Sequence, residues 1–354
     1  MTFKSGLVNQ VKINYLNKKL KRLVLFAALG VFLLLAALLA SMLGTYKTNL
    51  AEIIRLFGSK LPFYSGPEVP KLHEVIIWKL RIPRILLSMA AGSIFALSGT
   101  AYQACFRNPL AEPYILGVSA GAAFGAALGI VYPALFVSVR LSAFAFAILA
   151  VLLSWSLASS RGSAATSTFV IAGLVVSSVF NALVSSLKYI APDAQLREIT
   201  FWMMGGFYYA GWQDAALLFP LALLLGIVFY FFAWKMNVLS MGDEEARSLG
   251  VDPRFYRPFF IGAATLASAF TVSASGIIPW VGLMAPHAAR MLFGSDNSQL
   301  VPGSALLGAA FMLLCDTLAR SLTGSEIPIG IVTSILGAPF LIYLLRSRGR
   351  AAYL

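Results

Sequence analysis

Apolar residues in this chain neither alternate nor keep to one side of a helical wheel. They run on for about 20 positions at a time, all round, which is the length a helix needs to cross a ~30 Å hydrocarbon core at 1.5 Å per residue. Uncharged runs cover 23–44, 85–106, 113–139, 141–160, 162–187 and 215–234. A further run at 258–289 is too long for one span, and Gly276 and Pro279 interrupt it. The pattern predicts ten membrane helices, at about 23–44, 85–106, 113–132, 139–160, 166–187, 213–234, 257–275, 278–292, 301–320 and 327–346. They form one transmembrane domain over 1–354, since no linker or low-complexity stretch divides the chain. The first run is too long for a secretory apolar region of about 7–15 residues, so it reads as an uncleaved span.

Composition sharpens this picture. Apolar residues make up 59% of the chain and charged ones 12%, with mean hydropathy +0.82, whereas a soluble domain carries about 25% charged residues. A disordered chain, a nucleic-acid-binding domain and an ordinary soluble enzyme all fit poorly. The formal charge of +13 falls mostly between apolar runs, where it orients helices. An even number of spans puts both termini on one side. With the termini in the cytoplasm, 16 basic and 6 acidic residues lie inside against 11 and 8 outside, +10 against +3.

Candidate chemistry is sparse. Cys105 and Cys315 are 210 positions apart and read as small packing residues, with no disulfide or metal spacing. With two histidines, His73 and His287, no metal site is expected; His287 reads as a helix-end residue more readily than as a ligand. Gly117, Gly121, Gly125 and Gly129 form a smooth helical stripe, for close packing or a pore lining. Arg107 to Pro113, with two prolines in five residues, is a stiff turn, either a tight connection or a gate. The segment 242–250 holds Asp243, Glu244, Glu245 and Arg247, then Leu249 and Gly250. It reads as a short capped helix with an Asp243–Arg247 pair, lying at the interface or docking a soluble partner. Asp316 and Arg320, also four apart, form either a structural pair or a functional one. Arg81-Ile-Pro-Arg84 and Arg254-Phe-Tyr-Arg257 open two helices of opposite direction, a faint inverted echo. There is no Gly-Lys dipeptide and hence no Walker A loop, so this chain is not itself an ATPase; no His-Glu-x-x-His occurs either.

Six groups of residues, taken in chain order, carry a resemblance. The first three are Arg81-Ile-Pro-Arg84, Asn108-Pro-Leu-Ala-Glu-Pro113 with Leu116-Gly-Val-Ser-Ala-Gly121, and Trp202-Met-Met-Gly-Gly206. After these come Glu245-Ala-Arg-Ser-Leu-Gly-Val251, Val281-Gly-Leu-Met-Ala-Pro-His-Ala-Ala-Arg290, and Glu326-Ile-Pro-Ile-Gly330 with Gly337-Ala-Pro339. From about residue 80 to the C-terminus the chain closely resembles the FecCD family, the permease subunits of type II ABC importers for cobalamin, haem and ferric siderophores.

The resemblance implies a ten-helix, all-α polytopic membrane protein with the type II importer permease fold. Placed in a bacterial cytoplasmic membrane, the chain would have as partners a second permease subunit (a second copy, or a sister permease), two cytosolic ATP-binding subunits that hold ATP and Mg, and an extracytoplasmic solute-binding protein. It implies no cofactor in this chain and no nucleic acid. By the same resemblance Asn108, Leu110, Thr166 and Ser167 form the cytoplasmic gate. Arg81, Arg84 and Arg320 receive the binding protein as solvated outer cations. Asp243, Glu244, Glu245, Arg247, Leu249 and Gly250 couple to the ATPase. The implied cargo is a metal chelate, ferric siderophore or haem first and cobalamin next. The alternative from another class is a proton-coupled secondary carrier, weakened by the single candidate midplane carboxylate, Asp316.

Overall fold

The computed structural model describes residues 2–44, 46, 48–60, 70–136, 138–159, 166–323 and 325–348, with side chains from 19 onward except 166, 344, 345, 347 and 348. In chain order the helices are α1 (Thr2–Met42), α2 (Leu50–Ser59) and α3 (Lys71–Glu74). A π-helical segment (Val75–Arg81) leads into α4 (Ile82–Phe106), and a 3-10 turn (Pro113–Leu116) leads into α5 (Val118–Val131). Then follow α6 (Val139–Ser159), α7 (Thr166–Ile190), α8 (Asp193–Met204), α9 (Trp212–Phe231), α10 (Ala233–Met241) and α11 (Asp243–Ser248). The last four are α12 (Pro253–Ser275), α13 (Val281–Phe293), α14 (Asn297–Ser321) and α15 (Ile329–Arg348). Among the described residues there is no strand.

Among the described residues, seven helical stretches are long and apolar enough to cross a membrane: Lys19–Met42, Lys71–Phe106, α6, Ser167–Ile190, α9, α12 and α14. α5 and Ile329–Tyr343 are apolar but shorter. α5, with 14 residues, spans about 21 Å, and the 3-10 turn ahead of it takes up part of the run that the sequence assigns to one helix. The interruption at Gly276 falls where its residues place it, although the next helix begins at Val281 rather than 278. Other elements leave no signal in the apolar runs. α1 extends to Thr2, α4 continues backward to Lys71, and α2 and α8 lie in stretches that read as loops. α2 does carry a local signature, a capping box in which Asn49 accepts from the Glu52 N–H and the Glu52 carboxylate accepts from the Asn49 N–H.

α4 is the centre of the molecule. Its most apolar window is 83% buried, against 17% for α1 at the periphery. α14, α13, α12 and α9 surround it, and two of these approach its backbone directly. A Cβ added to Gly92 would lie 2.1 Å from the Gly308 carbonyl oxygen, and one added to Gly308 would lie 2.3 Å from that of Gly92. At Gly99 the added Cβ would be 1.7 Å from the Gly282 oxygen. Apolar helices gain little by leaving lipid for one another, so dispersion at such short separations holds them together. Ser93 Oγ donates to the Ala305 carbonyl (3.0 Å) and Ser98 Oγ to that of Ala264 (3.1 Å), which fixes the rotation of α4 against α14 and α12.

The glycine stripe of α5 serves packing. Added Cβ atoms on Gly121 and Gly125 would meet the Phe146 and Ser142 carbonyls of α6 at 2.3 and 2.2 Å. The motif ending in Gly205-Gly206 is likewise structural. The Gly206 N–H donates to the Ser275 carbonyl (2.7 Å), and the Ile329 N–H donates to that of Gly205 (3.0 Å). The end of α8 thus supplies partners for the broken backbone after α12 and at the start of α15. From the other side the Tyr114 hydroxyl donates to the Ile278 carbonyl (2.9 Å) and accepts from its N–H (3.3 Å). Unpaired backbone at this depth is costly in lipid, and these contacts satisfy it. Cys105 and Cys315 are buried free thiols.

Gly99→Ala and Gly308→Ala should therefore destabilise the protein by at least the ~1–3 kcal/mol of overpacking, because backbone rather than a movable side chain blocks the new methyl. Cys105→Ala and Cys315→Ala should keep more of the wild-type melting temperature in detergent than either glycine variant. Equal melting temperatures for Gly99→Ala and wild type would contradict the packing described.

Candidate functional site

Charged side chains gather at the two ends of the bundle. At one end lie Arg81, Arg84, Asp316, Arg320 and Glu326. Asp316 is fully buried, and its main partner is Arg84, whose Nε and Nη2 both lie 2.9 Å from Oδ1. The contact to Arg320, one turn away, is longer at 3.5 Å. The pairing that the sequence spacing suggests is thus the weaker of two, because α4 brings Arg84 closer than helical geometry brings Arg320.

Arg81 and Arg320 are also not the solvated cations expected of a landing site. Both are buried, at 6% and 7% exposure. Arg81 donates to the carbonyls of Ser41 (2.7 Å), Met42 (3.4 Å) and Tyr46 and to Thr48 Oγ1 (2.7 Å). Arg320 donates to the carbonyls of Leu43 (2.9 Å) and Ala40. The last carbonyls of a helix lack intrahelical donors and carry partial negative charge, so these two arginines cap the C-terminal end of α1. The π-helical turn before Ile82 contributes by carrying Arg81 inward toward α1. Arg84 alone of the three reaches a surface group: its Nη1 donates to both oxygens of Glu326, 2.9 Å each, and the Glu326 side chain is 41% exposed.

At the other end stands α11, flanked by two glycines. Gly250 adopts φ +77, and a Schellman arrangement closes the helix. The Val251 N–H donates to the Ala246 carbonyl (2.8 Å) and the Gly250 N–H to that of Arg247 (3.0 Å), while Ala246 and Val251 are both buried. Glu244, Glu245, Arg247, Ser248 and Leu249 are exposed on the outer face. Asp243 does not pair with Arg247 as the spacing suggests. It takes a bidentate contact from Arg257 of α12, at 2.6 and 3.2 Å, with Arg107 at 3.9 Å. Hydrogen bonding to Arg257 is the largest influence that holds the Asp243 carboxyl below its usual range, with the charges of Arg257, Arg107 and Arg247 adding to it against the opposing effect of burial.

Arg257 also donates through Nε to the Cys105 carbonyl (3.0 Å) near the end of α4. The turn begins two residues later at Arg107, which takes a left-handed conformation. Asn108 Oδ1 then accepts from the Leu110 N–H (2.9 Å), and Leu110 is 46% exposed. Asp243, Arg257 and Arg107 therefore join α11, α12 and the 107–113 turn in one polar unit. Arg257 and Arg107 escape a reading confined to the 242–250 segment, although the basic pair 254/257 is visible in the chain.

Ser167 is exposed on the first turn of α7, and two residues on Phe169 packs against Phe106 with ring centroids 5.7 Å apart. The side chain of Thr166 lies outside the described residues. His287 is buried with Nδ1 2.9 Å from the Leu283 carbonyl in its own helix. Gly117-Val118-Ser119-Ala120-Gly121 has the spacing of a hydrolase nucleophile elbow, but it opens α5 from a 3-10 turn and lacks the strand that such an elbow requires. The inverted echo places Arg84 and Arg257 at opposite ends of antiparallel α4 and α12, each on a carboxylate.

Known proteins share both sequence and architecture with this chain. It is 39% identical over 281 residues to the cobalamin import system permease of Halobacterium salinarum, covering 79% of this chain and 76% of that one. It is 36% identical over 329 residues to the molybdate import system permease of Haemophilus influenzae, covering 91% and 96%. A solved inward-facing ABC transporter assigned to the metal-chelate type superposes with a TM-score of 0.80 at 33% identity, covering 91% of this chain and 99% of that one. The model of the FecCD transport family matches residues 32–347, and the chain belongs to that family.

Proposed function

We propose that this chain is the membrane permease subunit of an ATP-driven importer in a bacterial cytoplasmic membrane, moving a metal chelate inward. Ten helices enter the bilayer: α1, α4 to α7, α9 and α12 to α15. Both termini and α11 face the cytoplasm, as the excess of basic residues on that side supports. A second copy of the chain completes the pathway, two cytosolic subunits bind and hydrolyse ATP with Mg, and a solute-binding protein docks on the Arg84 side. No bond is made or broken in this chain.

The observation that carries this reading is the Asp243 unit. A partner that moves α11 pulls on Arg257 and Arg107, and so on the start of α12 and the turn bearing Asn108 and Leu110. The exposed residues Glu244, Glu245, Arg247 and Leu249 offer the ATPase both charge and an apolar contact, while the Schellman closure makes α11 a stiff handle. Leu110, with Ser167 and Thr166 at the same end, closes the pathway against the second subunit. On the far side Arg84 is the docking cation. A carboxylate of the binding protein competes with Glu326 for it, while Arg81 and Arg320 support the ledge from beneath by fixing α1. The cargo is a ferric siderophore or haem first and cobalamin next.

Five results check this. In liposomes the permease should transport nothing without its ATPase and binding protein; uptake of ferric siderophore, haem, cobalamin or molybdate by the permease alone would overturn the importer reading. Asp243→Ala and Arg257→Ala should each cut uptake by about 10- to 100-fold, the worth of a charged hydrogen bond, and the swap Asp243→Arg with Arg257→Asp should restore part of it. Gly250→Pro, which cannot hold φ +77, should match the single variants. Because folding depresses the Asp243 pKa, the tie is complete above the ordinary Asp value of about 3.9 and is lost only as pH falls below it, so coupling should be flat from pH 8 to 5. Finally, Arg84→Glu should lower the melting temperature, since buried Asp316 loses its main partner, and also weaken binding-protein affinity in nanodiscs with a flatter salt dependence, whereas Arg81→Glu and Arg320→Glu should lower the melting temperature without changing that salt dependence.

A further inference from the structure

Between α1, α9 and the α4–α14 pair lies a groove of about 470 Å3, within the size range of small-molecule sites. Leu33, Met89, Ser93, Gly226, Tyr230 and Ala305 are among its walls. The lining is apolar, because Ser93 Oγ already donates to the Ala305 carbonyl at 3.0 Å. Along α9 the lining runs from Phe219 to Phe231, about 18 Å of helix at 1.5 Å per residue. That is a little over half of a ~30 Å hydrocarbon core, so the groove has the length of one leaflet rather than of the bilayer.

Charge marks one end of it. Arg22, Phe26, Leu29 and Leu33 follow one stripe of α1. Phe26 stacks on Phe293 with ring centroids 4.2 Å apart, and Leu33 enters the groove wall. Arg22 lies close enough to Asp296 for its charge to act on that carboxylate, which Ser298 and Asn237 also hold by hydrogen bonds. Lys19, Lys21 and Arg22 are exposed, with no acid between them in the chain. Tyr230 near the end of α9 and Trp234 at the start of α10, both more than half exposed, add an aromatic rim at the same end, as amphipathic rings do at a membrane surface. An apolar slot one leaflet long that ends beside three cations and an aromatic rim fits an amphiphile with a negative head.

We propose that the groove holds one acyl chain of an anionic phospholipid, with its phosphate set against Lys19, Lys21 and Arg22 in the leaflet on the α11 side. The lipid joins α1, which packs mainly on α14, to α9 across the groove. The proposal needs only that the bundle spans a membrane, and its test uses neither ATP nor cargo, so it stands or falls apart from the importer reading.

The full-length protein is placed in nanodiscs with phosphatidylglycerol carrying a diazirine midway along one acyl chain, and the photolabelled peptides are mapped. Label is expected on α9 and α14 around Gly226 and Ala305. Gly226→Leu should remove most of it, since a Cβ there meets only Leu97 Cδ1, at 3.6 Å, and the rest of the side chain enters the groove. Leu223→Trp, from an exposed position on the same wall, is the second filling variant should Gly226→Leu lower the melting temperature. Leu224→Trp, exposed outside the groove, should leave labelling unchanged. Replacing Lys19, Lys21 and Arg22 by Gln should abolish the preference for phosphatidylglycerol over a phosphatidylcholine probe, to which each cation contributes about five-fold. Label spread evenly over all lipid-facing helices, label unaffected by both filling variants, or equal wild-type labelling by the two lipids would overturn the proposal.

Discussion

The close approach of backbone to backbone along α4 is the constraint on which the rest of the structure depends. In water, burial of apolar surface would hold a central helix in place, but lipid tails compete on equal terms with leucine. What remains is dispersion at short range, and it needs glycine on both sides. Gly92 with Gly308 and Gly99 with Gly282 supply it. Once α14 and α13 are seated on α4, their ends are placed to within side-chain reach, and both polar clusters become possible.

The two clusters are built on different logic. At the Arg84 end a buried carboxylate, Asp316, is shared by Arg84 and Arg320, while Arg81 and Arg320 cap the carbonyls of α1. Burying these ions is tolerable only because nearly every donor finds an oxygen, and removal of one partner would leave an uncompensated charge. At the α11 end Asp243 and Arg107 are partly exposed, at 39% and 45% of the side chain, against 0% for Asp316. Asp243 with Arg257 and Arg107 is therefore a weaker and more movable contact, a joint between α11, the start of α12 and the 107–113 turn. A rigid far end and a jointed near end fit the proposal that a partner drives the subunit from the α11 side.

The broken segments have a related explanation. Backbone after Ser275, around Gly205 and before Ile329 is not helical, yet it lies inside the bundle, where bare N–H and C=O groups are costly. The three segments satisfy one another, with the Tyr114 hydroxyl completing the set. The Gly-Gly pair after Trp202 belongs to this arrangement.

The long apolar runs determined most of the helices from sequence alone, because a span in lipid needs its whole circumference apolar and composition reports that directly. The capped helix before Gly250 and the stop at Gly276 were legible for a similar reason, since local backbone chemistry dictates them. Partner choice was not legible. Asp316 reads as paired to Arg320 and Asp243 to Arg247, since four residues is the helical repeat, yet Arg84 and Arg257 take those carboxylates from other helices. α2, α8 and the backward extension of α4 were hidden too, because helices that lie at the edge of the bundle need not be apolar throughout. The burial of Arg81 and Arg320 is a tertiary outcome as well: sequence places a residue at a helix end, but only the packing of α1 against α4 and α14 decides whether that end faces water.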